Sequence, residues 1–135
     1  GSCSSERVGA NRTLYDVPKA ALKWFTDSCV AELPGVRSNL VQPGFVETPI
    51  FDRVGYTPEY KKMLFEYSMA NTIPMGRLGE PKDVAKAVAF ICSEDATFIN
   101  GAYLRIDGGW TVCAHLQVKT RYDGRPYVSP GEKNA

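Results

Sequence analysis

An α/β fold with parallel strands is the architecture this sequence predicts, and three observations lead to it. Two stretches carry apolar residues at helical spacing. Each is followed by a short run of strand character that ends on glycine, at Pro43-Gly44 and at Gly108-Gly109. The resulting order of helix, strand, helix, strand demands crossover connections, which join parallel strands within a layered sheet.

Taken in order, residues 1–13 are small and polar and read as a loop. Ala21, Leu22, Phe25, Cys29, Val30 and Leu33 then repeat on one face, predicting a helix over 14–33 that Pro34-Gly35 stops. Val36 to Val41 reads as a strand, with Pro43-Gly44 closing it. Residues 45–77 are too long for a plain loop, are rich in Pro, Tyr, Phe and Met, and predict a helix over 59–69. Their rings (Phe51, Tyr56, Tyr60, Phe65, Tyr67) suit an apolar or aromatic substrate and equally suit packing against the core. Glu80-Pro-Lys-Asp83 opens a second helix, since proline and acidic residues favour a first turn, and Val84, Val88 and Ile91 repeat behind it. Gly101 to Asp107 alternates as a strand. The division expected is one domain over 1–110 and a polar tail over 111–135.

Composition narrows the function. The 135 residues are 44% hydrophobic and 23% charged with a net charge of +1, which gives no electrostatic reason to expect nucleic acid or a membrane as partner. No apolar run is long enough to span a bilayer, and the first residues lack a signal-peptide pattern. Cys3, Cys29, Cys92 and Cys113 form no CxxC pair and His115 is the sole imidazole, so no metal site is expected. Cys29 and Cys92 fall inside helical patterns as buried reduced thiols, which points to a reducing, cytoplasmic setting.

The chemistry-bearing residues begin with Tyr15 and Lys19. Four apart on a helix, they share a face. A free phenol has a pKa of about 10. A neighbouring ammonium favours the phenolate and brings the group toward working pH, where it can protonate a developing alkoxide or deprotonate an alcohol. At the end of the first strand, Gly44 lets a flat ring approach the backbone, and the Val46 backbone with the Thr48 hydroxyl suits a polar amide. The competing reading of Pro43-Gly44 is a plain turn.

Four segments in order carry a resemblance: Tyr15-Asp-Val-Pro-Lys-Ala-Ala-Leu22, residues 36–48, Ile73-Pro-Met-Gly-Arg-Leu-Gly-Glu-Pro-Lys-Asp-Val84, and Asn100-Gly-Ala-Tyr-Leu-Arg-Ile-Asp-Gly-Gly109. Together they resemble the short-chain dehydrogenase/reductase family over roughly residues 2–111. The resemblance implies the C-terminal portion of a Rossmann-like doubly wound parallel sheet. It implies hydride transfer with NADP or NAD, a small carbonyl or alcohol substrate, and a homo-oligomer. Tyr15 would be the general acid/base, and Lys19 would bind the nicotinamide ribose and lower the phenol's pKa. Pro43, Gly44, Val46 and Thr48 would receive the nicotinamide. The family's catalytic serine lies thirteen residues before the tyrosine, which lands on Ser2, with Ser4 and Ser5 as nearby alternatives. If Gly1-Ser2 is a remnant of cloning, that role is vacant.

The sequence departs from the family in two ways. Pro18 lies between Tyr15 and Lys19, where a helix tolerates it only near the first turn. No glycine-rich phosphate-binding turn occurs among the twelve glycines, so the pyrophosphate and adenosine sites are expected upstream of Gly1. With two strands expected, sheet edges and helix faces should stay uncovered. The competing function is therefore a non-catalytic fragment that acts as an interaction or oligomerisation module.

Overall fold

The computed structural model describes residues 1–113. Residues 114–135, which hold most of the expected polar tail and His115, lie outside the described residues. Six elements follow one another: helix α1 (Thr13–Glu32), strand β1 (Leu40–Pro43), helices α2 (Ile50–Arg53), α3 (Pro58–Asn71) and α4 (Pro81–Cys92), and strand β2 (Tyr103–Ile106). Short 3-10 turns occupy Cys3–Ser5 and Glu94–Ala96. The strands are parallel, paired Leu40 to Tyr103 through Pro43 to Ile106, as a crossover connection requires. The predicted layering is therefore present.

Local chemistry explains the helix limits. Glu80 and Asp83 form a reciprocal capping box at the start of α4, with Pro81 in its first turn and the Asp83 carboxylate accepting the Glu80 N–H (2.9 Å). Thr57 caps α3 by accepting the Tyr60 N–H (3.2 Å). Past α1, Gly35 adopts φ +82°, so the chain leaves the helix where the sequence predicts. Pro18, the sixth residue of α1, lies deeper than the first turn to which it was expected to be confined. It deprives the Leu14 carbonyl of its helical donor, and Leu14 is itself exposed, so water can take the place of that donor.

Both strands are shorter than their apolar runs. Val36–Asn39 was expected within the first strand, yet it meets the second strand's approach through mixed contacts: the Ser38 carbonyl accepts the Gly101 N–H (2.8 Å) and the Ser38 N–H donates to the Asn100 side chain (2.7 Å). Asn39 donates through Nδ2 to the Ile99 carbonyl (2.9 Å) and accepts the Ala102 N–H at Oδ1 (2.9 Å). Regular pairing begins only at Leu40.

The core lies at the carboxyl ends of the strands. Cys3, Ile73 and Trp110 are buried together, with Phe45 and Leu78 packed against them. The helices contribute less than their patterns predict. On α1 only Thr26 is buried, and Ala21, Leu22 and Phe25 of the expected core face are exposed. The short sheet offers no further surface to cover them. Cys92, expected to be buried, is exposed, and Cys29 is half-buried. No helix among the described residues is long and apolar enough to cross a membrane.

Candidate active site

The site is built where the first residues, the start of α1 and the strand ends meet. Tyr15 and Lys19 occupy the first two turns of α1. Tyr15 is 45% exposed, and the Lys19 ammonium lies 5.3 Å from its ring centroid. Helical spacing thus brings the two together as expected.

Ser2 is buried at the head of a 3-10 turn, within residues whose small, polar composition predicts a loop. Its hydroxyl oxygen accepts the Ser4 N–H (3.2 Å), which leaves the hydroxyl proton to be donated. Side-chain ties to α1 and to both strands fix this turn. Arg12 donates to the Ser4 hydroxyl (3.1 Å) while paired with Asp16, which anchors the turn to the start of α1. Glu6 bridges Lys23 of α1 (3.1 Å) and Arg105 of β2 (2.7 Å). The Cys3 thiol donates to the Gln42 carbonyl of β1 (3.0 Å), and the Gln42 Nε2 donates to the Ser5 hydroxyl (2.6 Å). Sequence spacing gave no sign of Glu6, Gln42 or Arg105, because their partners lie 17 to 99 positions away by number in the chain.

Gly44 has a close neighbour within the chain itself. A Cβ at Gly44 would lie 2.7 Å from the Asp107 Cβ and 2.9 Å from its Cα. The absent side chain therefore lets the two strand ends close on each other, and the Gly44 N–H donates to the Ile106 carbonyl (3.0 Å). Asp107 then organises the following turn, accepting the Gly109 N–H (2.9 Å) and the Thr111 N–H (2.8 Å). Burial works to raise the Asp107 pKa, and donors from Thr111 and Gly109 outweigh it, so the carboxyl sits below its ordinary value. Burial pushes the Cys3 thiol up to about 12.

Beyond Gly44 the chain makes one isolated parallel bridge. Gly79 donates to the Phe45 carbonyl (2.8 Å) and accepts from the Glu47 N–H (2.9 Å). This pattern uses the groups on either side of Val46 and leaves the Val46 N–H and carbonyl without a partner among the described residues. Thr48 is half-buried beside it. The aromatic residues of 45–67 pack largely on one another: Phe45 meets Trp110 edge-on at 5.1 Å, and Phe51 meets Phe65 edge-on at 5.0 Å. Of the rings that the sequence singles out, Phe51 and Phe65 pack on each other and, through Phe51, on Phe45, while Tyr56, Tyr60 and Tyr67 are exposed. Among the described residues no group of three or more His, Cys, Asp or Glu could hold a metal ion.

Comparison with known proteins identifies the lineage. Residues 1–111 match the family model described as enoyl-(acyl carrier protein) reductase. The chain belongs to the short-chain dehydrogenase/reductase family. It is 37% identical over 111 residues to a 3-oxoacyl-[acyl-carrier-protein] reductase of Haemophilus influenzae, covering 81% of this chain and 43% of that protein. Among solved structures it resembles aldohexose dehydrogenase of Thermoplasma acidophilum, with a TM-score of 0.74 and 31% identity over 86% of this chain and 48% of that one. It also resembles a gluconate 5-dehydrogenase of Burkholderia cenocepacia in complex with NADP and tartrate, with a TM-score of 0.71 and 26% identity over 82% of this chain and 42% of that one. The fold is thus the Rossmann-like one expected for the family, and the chain spans less than half the length of these relatives.

Proposed function

We propose that this chain carries the catalytic side of an NAD(P)-dependent carbonyl reductase or alcohol dehydrogenase. One observation carries the reading: the Ser2 turn is tied at once to the helix start that presents Tyr15 and Lys19 and to the strand that leads to Gly44 and Val46. The Ser2 hydroxyl, its oxygen already accepting a bond, donates to the substrate carbonyl. Tyr15 then delivers a proton to the oxygen as it gains charge, or removes one in the alcohol direction. Lys19 stands beside the phenol and takes the ribose hydroxyls.

The residues fit the nicotinamide end of the cofactor. The unpartnered Val46 N–H and carbonyl and the half-buried Thr48 match the donors and acceptor of a carboxamide, next to the Pro43-Gly44 strand end. Bound nicotinamide would supply or accept the hydride. NADP in a related structure supports this assignment. No Gly-x-Gly-x-x-Gly or related glycine-rich turn occurs in these 135 residues to hold a pyrophosphate, so high affinity requires a further dinucleotide-binding segment. The four unpaired thiols are in keeping with a reducing, cytoplasmic setting.

The test is ketone-dependent oxidation of NADPH or NADH by this chain joined to an upstream dinucleotide-binding segment, beside the 135 residues alone. Turnover by the joined protein only is expected. Absence of turnover with every ketone and aldehyde tried would overturn the assignment.

A second reading, an interaction or oligomerisation module, has its own observation. Leu14, Val17, Ala21 and Trp24 form a stripe along α1 at spacings of three and four, with Leu14 95% and Trp24 78% exposed. A stripe of that width is suited to pairing with another helix. Sedimentation of the isolated chain tests this, and a strict monomer at high concentration would refute it.

A further inference from the structure

We propose that Gln42 is a positioning residue for the catalytic serine, acting through Ser5. The inference rests on the reading of Ser2 given above. Gln42 lies in the middle of β1 with 0% of its surface exposed. A wholly buried site of this kind ordinarily takes an apolar side chain, because a buried amide group left without a partner costs about 1–3 kcal/mol. The Gln42 Oε1 is in that position, buried with no partner among the described residues. A buried, unpartnered polar atom calls for an explanation beyond packing.

The other end of the same amide supplies it. Nε2 donates to the Ser5 hydroxyl (2.6 Å), and the Ser5 hydroxyl donates to the Ser2 carbonyl (2.7 Å). The Gln42 carbonyl meanwhile accepts from the Cys3 thiol (3.0 Å). One residue of β1 therefore holds the serine turn by backbone and side chain together. The relay ends on the residue whose hydroxyl must meet the substrate oxygen. The other ties of the turn, Glu6 with Lys23 and Arg105, Arg12 with Ser4, and the Cys3 thiol with the Asp107 carboxylate (3.5 Å), do not bond to Ser2 itself. Removing the Gln42 amide would leave the turn attached, with the Ser2 carbonyl still accepting the Ser5 N–H (3.1 Å), and would take from the Ser5 hydroxyl the donor that orients it toward Ser2. A displacement on the order of 1 Å at a reacting group costs on the order of 100-fold in rate.

The experiment is a double-mutant cycle in the complete, cofactor-dependent enzyme, with kcat and KM measured separately for one ketone. Gln42→Leu is expected to lower kcat by roughly 10- to 100-fold with KM for the ketone changed by less than about twofold. In a Ser2→Ala background the same substitution should cost less than about threefold, because the group it positions is gone. A purely structural role predicts the full loss in both backgrounds, and that result would overturn the proposal, as would unchanged kcat in the single variant. Should Gln42→Leu fail to fold, Ser5→Ala cuts the same relay at the surface of the turn and must show the same dependence on Ser2. Tyr15→Phe run alongside separates the two claims. If it keeps full activity, the functional reading fails, whatever the cycle gives. If it is inactive while Gln42 and Ser2 act additively, only the positioning role fails.

Discussion

Replacing Gly44 with alanine tests the packing that brings the strand ends together. Gly44 is not in the left-handed region, so the substitution adds no backbone strain. On conformational entropy alone, Gly→Ala at such a site would stabilise by about 0.4–1 kcal/mol. The structure reverses that sign. The new methyl would stand 2.7 Å from the Asp107 Cβ and 2.9 Å from its Cα, and a backbone atom cannot swing aside. Overpacking costs about 1–3 kcal/mol. Parting the strands also weakens the Gly44 N–H bond to Ile106, which adds about 1 kcal/mol. Set against the entropic gain, a net loss of about 1–3.5 kcal/mol follows, a sizeable share of the roughly 5–15 kcal/mol that a domain possesses. Urea titration followed by Trp110 and Trp24 fluorescence measures it as a fall in midpoint at constant slope. An unchanged or higher midpoint would refute the close approach.

Acid should weaken the fold through Asp107 and Glu6. Both carboxyls sit below their ordinary values because paired donors outweigh burial: Thr111 and Gly109 for Asp107, and Lys23 and Arg105 for Glu6. A depressed folded-state pKa contributes stability that is full above the unfolded value and lost as pH falls through the folded one. Melting temperature should therefore drop as pH falls from about 5 toward 2, and Asp107→Asn should flatten that slope. Thiol chemistry should separate the cysteines. Cys92 is exposed and should react first with a disulfide reagent, while Cys3, buried and pushed up to about 12, should stay unlabelled until unfolding, as peptide mapping would record. Trp24→Glu, placed on the exposed α1 stripe, should reduce any self-association seen by sedimentation without lowering the melting temperature.

Much of this architecture is legible in the chain because its determinants are local. Helical periodicity and the stop at Pro34-Gly35 mark α1, and Glu80, Pro81 and Asp83 mark the start of α4. Tyr15 and Lys19 meet because a helix brings positions four apart together. What spacing cannot carry is pairing between distant residues. The Asn39 amide displaces the strand start by bonding to Ile99 and Ala102, and the Gln42–Ser5 bond joins residues 37 apart. Periodicity also marks a face as apolar without saying what covers it. Most of the α1 face read as core lies exposed, since the two strands among the described residues cannot cover both it and α4.

The most direct test of the account is single-turnover hydride transfer to a ketone by the completed enzyme and its Tyr15→Phe variant, with cofactor binding measured in parallel. The account predicts unaltered binding and a loss in rate of at least about 100-fold, the size of a general acid's contribution. Transfer at the parent rate with Tyr15 replaced would contradict it.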